Sequence, residues 1–93
     1  MTTFLPLLLI ASLLSPTIER ALDSFERADY DRAAALLDDS AALEPTHFER
    51  NNMPFLRGRI AEIQEDWGRA EQEFARVASN SVLYPLSLWH RAR

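Results

Sequence analysis

The sequence predicts an all-α fold of antiparallel helix hairpins stacked as an α-solenoid, with about two repeats and the first helix of a third. Three observations predict it. Apolar residues recur at helical spacing from Ser15 onward, no segment alternates as a strand does, and one block of sequence returns after 37 residues.

The first helix is signalled by Ser15, which can cap the free amides, and by Pro16 in the first turn, where a missing N–H costs nothing. Ile18, Ala21, Leu22 and Phe25 then fall at i, i+3, i+4 and i+7, one buried stripe. A second helix follows the N-cap candidate Asp29, is expected to bury Tyr30, Ala33, Ala34, Leu37 and Ala41, and stops by Pro45. A third begins near Asn52-Met53-Pro54 and presents Leu56, Ile60 and Ile63. A fourth begins at Asp66 and presents Trp67, Ala70, Phe74, Val77 and Ala78. A fifth opens near Pro85, where Leu88, Trp89 and Ala92 continue the apolar stripe.

The repeat is explicit: Asp29-Tyr30-Asp31-Arg32-Ala33 returns as Asp66-Trp67-Gly68-Arg69-Ala70, Arg20-Ala21 as Arg57-Gly58, and Leu37 as Phe74. Small residues (Ala21, Gly58, Ala33, Ala70) let helix backbones approach, while Tyr30, Trp67, Leu37 and Phe74 are expected to fill the wider gaps. A shift of 34 carries Arg57-Gly58-Arg59 onto Arg91-Ala92-Arg93, so a third repeat is expected to begin here and to continue past Arg93, covering Leu88 and Trp89.

A small residue in the first helix, an Asp-aromatic turn, an Ala and then a large apolar residue resemble the tetratricopeptide repeat. Ala21, Asp29-Tyr30, Ala33, Leu37 and Pro45 supply the pattern once, and Gly58, Asp66-Trp67, Ala70 and Phe74 supply it again. The resemblance implies a solenoid whose first helices line a concave side, with Leu22, Glu26, Phe55, Arg59 and Glu62 as partner-binding candidates. Members that clamp a C-terminal carboxylate use Lys and Asn at such positions, which this chain lacks. Phe55-Leu56-Arg57-Gly58-Arg59, Asp66 to Ala70 and Val82-Leu83-Tyr84-Pro85-Leu86 also resemble the helical region that precedes the catalytic domain of soluble lytic transglycosylases, and cell-envelope assembly factors are similar. That family's catalytic Glu lies in a separate domain and is commonly followed by Ser. This chain has no Glu-Ser pair, so the resemblance implies an activity outside these residues.

Composition narrows the function classes. With a formal charge of −4, ten Arg and no Lys, the chain is not expected to bind nucleic acid, which calls for concentrated positive charge. No cysteine means no disulfide, thiolate nucleophile or sulfur metal site. His47 and His90 stand 43 residues apart, so neither a metal nor a cofactor is expected. Glu62, Glu65 and Asp66 read as a solvated helix face, and Glu65–Arg69 and Asp23–Arg27 as surface i, i+4 pairs. No Ser elbow or Gly-rich phosphate loop is present.

Residues 1–16 form an apolar leader, in which the uncharged run Phe4 to Leu14 has the length of a signal-peptide core and falls short of a membrane span. Met1-Thr2-Thr3 carries no Lys or Arg, and the alternative to a signal peptide is an apolar capping helix. The first reading places the chain in the periplasm or cell envelope and the second in the cytoplasm. Residues 17–93 form the repeat region. The chain is thus expected to be a non-enzymatic scaffolding or protein-interaction module that binds a protein, a peptide or the rest of a longer chain. The alternative is the non-catalytic arm of an exported peptidoglycan-cleaving enzyme.

Overall fold

The computed structural model describes residues 15–92, and all regular structure among them is helical. The expected leader, Met1 to Leu14, lies outside the described residues. Six helices follow in order: α1 Pro16–Glu26, α2 Tyr30–Leu43, α3 Pro45–Arg50, α4 Met53–Ile63, α5 Trp67–Ala75 and α6 Tyr84–Ala92. They divide into two units, with the boundary between Asn51 and Asn52.

The first unit is a hairpin of α1 and α2 followed by α3. Ser15 caps α1 through its hydroxyl, which accepts from the Ile18 N–H at 3.0 Å. Ile18, Ala21, Ala33 and Leu37 are fully buried, and Ser40 is 1% exposed beside them. Leu22, Phe25, Tyr30, Ala34 and Ala41 are half-buried. The Phe25 and Tyr30 rings meet edge-on across the turn at 5.6 Å. Pro45 does end α2, but it also opens α3, which the sequence reading lacked. At the first helical position Pro is compatible with a new start, and α3 buries Phe48 completely.

The second unit is a hairpin of α4 and α5 with α6 packed on it. Its core joins Ala61, Ala70 and Phe74, with Phe55 against them; Ile60, Met53 and Val77 are also buried. Gly58 sits under the Phe74 ring: a β-carbon added there would lie 2.6 Å from Phe74 Cε1. The loop after α5 is tied back to the start of α4 by Ser81 Oγ, which donates to Asn52 Oδ1 at 2.6 Å.

The two hairpin turns are built alike. Ala28 and its counterpart Glu65 both take left-handed backbone, at φ 62° and 60°. In each, the residue after the left-handed one returns a hydrogen bond five residues back, Asp29 N–H to Ser24 C=O at 2.9 Å and Asp66 N–H to Ala61 C=O at 2.8 Å. The inner bond of the same motif runs from Ala28 to Phe25 and from Glu65 to Glu62, both at 3.0 Å. The same aspartates then cap the next helix, accepting from Arg32 N–H at 3.4 Å and Arg69 N–H at 3.2 Å.

Several expected core positions are corrected. Trp67 is 64% exposed rather than gap-filling, because it is the first residue of α5 and Phe55 and Phe74 already occupy that level of the core. Ile63 is 39% exposed at the last position of α4. Ala78 is exposed because α5 ends at Ala75, which takes Ala78 off the helical register. In α6, Leu88, Trp89 and Ala92 do not continue the buried stripe: Ser87 and His90 face inward instead.

Candidate functional site

The densest convergence of polar and aromatic groups lies in the second unit and is centred on His90. The ring stacks on Phe74, with centroids 5.0 Å apart and planes at 17°, and meets Phe55 edge-on at 5.6 Å. Its Nδ1 is 2.8 Å from Glu62 Oε2, which commits that nitrogen to the carboxylate and leaves Nε2 as the ring's remaining polar atom. The other Glu62 oxygen accepts from Arg59 Nη1 at 2.6 Å. His90 thus binds α6 to the C-terminal end of α4 while its flat face covers Phe74 of α5.

This arrangement decides the protonation of Glu62. Burial opposes its ionisation, but the hydrogen bonds from Arg59 and His90, and the positive charge they bring, outweigh burial and hold the carboxyl below its ordinary value of 4.5. A folded value below the unfolded one contributes stability above the ordinary carboxylate range, and that stability is lost as pH falls through the folded value. We therefore expect Glu62→Gln to be less stable than the parent at neutral pH and to lose less stability than the parent on acidification. Urea midpoints of the two proteins, followed from pH 7 down to about pH 3, should converge as the parent loses this contribution. Parallel curves over that range would sink the assignment.

Beside the His90 pair, Glu62, Trp67, Ala70, Glu71, Phe74, His90 and Arg91 line a groove of about 400 Å³. Ala70 and Phe74 form its apolar floor, and Trp67 stands exposed at its side. Every charge in the lining has a partner within it or next to it: Glu62 with His90 and Arg59, and Glu71 with Arg91 Nε at 3.0 Å. The groove offers an aromatic surface whose charges are already paired, which suits an uncharged side chain better than an ion.

Of the five residues singled out from the sequence, Leu22 is half-buried and Glu26 exposed on α1, in the first unit. The structure brings Phe55, Arg59 and Glu62 of α4 into one site, though not as a free surface: each is half-buried and engaged by a neighbour. The solvated-face reading of Glu62 is corrected, because its side chain is only 10% exposed, whereas Glu65 and Asp66 are exposed as expected. Asp23–Arg27 is the surface pair expected, at 3.2 Å.

Sequence reasoning missed His90 as the centre, and it missed a second ion pair. Glu73 is 3% exposed, and both its oxygens are taken by Arg57, at 2.5 Å from Nε and 3.2 Å from Nη2. Arg76 adds a third contact at 3.2 Å. Among the described residues no three His, Cys, Asp or Glu side chains cluster as a metal site, and no helix is long and apolar enough to cross a membrane. Comparison of the chain with protein-family models, curated proteins and solved structures returns no match.

Proposed function

We propose that this chain is a helical-repeat interaction module of the tetratricopeptide type, and that the groove between α5 and α6 receives a large uncharged side chain of a protein or peptide partner. The observation that carries this reading is the groove itself: about 400 Å³, aromatic and alanine-floored, flanked by an exposed Trp67, with its charges already paired. Such a volume lies at the small end of ligand pockets and suits one bulky anchor residue. Trp is among the residue types enriched at the energetic anchors of protein interfaces. The repeated turn and the exchange of Ala21 and Leu37 for Gly58 and Phe74 favour a repeat protein over an unrelated small bundle.

The test is selection of peptides from a displayed random library against the full chain. Selected peptides should share a Leu, Phe or Trp anchor and should lose at least about tenfold in affinity for Ala70→Arg, which fills the groove, or Trp67→Ala, which removes its wall. Peptides that bind both variants as well as the parent would refute the groove as the site.

A further inference from the structure

The last helix is inside out. The residues α6 buries are polar, Ser87 and His90, whereas Leu86, Leu88 and Trp89 are 44%, 43% and 56% exposed. Val82, Pro85, Leu86 and Trp89 line an open depression of about 520 Å³ that contains no charged residue. At about 100° per residue Pro85, Leu86 and Trp89 share one side of the helix axis, away from the side that carries Ser87 and His90, and Val82 lies in the turn just before the helix.

The internal repeat says what such a face is for. The shift of 34 that matches Arg57-Gly58-Arg59 to Arg91-Ala92-Arg93 also matches Met53 to Ser87 and Phe55 to Trp89. Met53 and Ser87 are both buried. Phe55 and Gly58 are the residues by which α4 meets the second helix of its own hairpin: the Phe55 and Phe74 rings are 5.5 Å apart, and Gly58 lies directly under Phe74. In α1, Ala21 holds the place of Gly58 and is fully buried. Trp89 and Ala92 hold these same places in α6, and both are exposed. The open side of α6 is therefore the side that, in α4, carries a second helix.

We propose that the Pro85–Leu86–Trp89–Ala92 face of α6, together with Val82 just before the helix, is a docking surface for an amphipathic helix of the α2 and α5 type. Such a helix is capped by Asp and carries Ala four residues and a large apolar residue eight residues after the cap, as Asp29, Ala33 and Leu37 do and as Asp66, Ala70 and Phe74 do. The depression is uncharged, and so is the face formed by that Ala and large residue, so docking strands no charge. The α4–α5 contact supplies the template, with the small residue of one helix beneath the large residue of the other. The inference rests on the repeat reading but not on the groove between α5 and α6.

The experiment extends the full chain after Arg93 with a copy of residues 60–78, which the shift of 34 places in register. Both Trp67 positions are changed to Phe so that emission reports Trp89 alone. The control extension carries Glu in place of Ala70 and Phe74 in the copy. The parent extension should move Trp89 emission to the blue and raise the thermal midpoint by about 5 °C or more, the control should do neither, and Trp89→Glu should abolish the difference in thermal midpoint between the two extensions. Equal behaviour of the two extensions overturns the proposal. So does a dimer of the unextended chain that Trp89→Glu makes monomeric, which would give the face to a second copy. Failure here with peptide selection intact leaves the groove reading standing, and the reverse result leaves this one.

Discussion

Glu73→Ala is expected to cost the second unit about 3 to 5 kcal/mol, the usual penalty for breaking a buried ion pair from one side. The mechanism is geometric. The Glu73 side chain is 4% exposed and that of Arg57 14%, with two hydrogen bonds between them. Removing the carboxylate takes from a largely buried guanidinium two hydrogen bonds that offset its desolvation. Replacing both partners is a different experiment. Leu36 stands where Glu73 stands in the first hairpin, and Arg20, the counterpart of Arg57, is exposed. The hairpin therefore has a version without this pair, and Arg57→Met with Glu73→Leu should recover most of the loss. Urea unfolding at neutral pH of the parent, the single variant and the double variant decides the matter. A single variant within about 1 kcal/mol of the parent would show that the pair is solvated in practice.

Gly58→Ala is expected to destabilise by about 1 to 3 kcal/mol although alanine is the better helix former by about 1 kcal/mol. Three Phe74 ring carbons lie 2.6, 2.7 and 2.8 Å from the added methyl, and that ring is 2% exposed with His90 stacked on it, so it has little room to yield. The first hairpin shows the compensating choice, Ala21 beside Leu37 in place of Gly58 beside Phe74. Phe74→Leu alone should leave a cavity and cost stability, yet added to Gly58→Ala it should cost less than the sum of the two single changes. A double-mutant cycle with a coupling energy near zero would show that the two positions are independent, and the size exchange between the hairpins coincidental.

What could be read from the sequence was local. Ser15, Asp29 and Asp66 mark helix starts because their side chains bond amides three residues on, and spacing alone reveals that. Ala33, Leu37, Ala70 and Phe74 lie inside because each stands on an apolar stripe of its own helix. The site escaped for the opposite reason. Glu62 meets His90 28 residues away, and Arg57 meets Glu73 16 residues away, and charged residues in a helix read as its wet side until the partner is known. In α6 the pattern misled outright: Leu88 and Trp89 outweigh Ser87 and His90 on any hydrophobicity scale. The inward face was settled instead by a carboxylate and an aromatic plane contributed by other helices.

The shared turn bears on how these hairpins come apart. Asp29 and Asp66 each close the helix behind with a backbone N–H and hold the helix ahead with a carboxylate. The end of one helix therefore cannot fray without slackening the start of the next. Loss of order that elsewhere creeps inward one residue at a time must here involve both helices together. Amide hydrogens on the two flanks of each turn should accordingly exchange with solvent in step, as one opening event per hairpin.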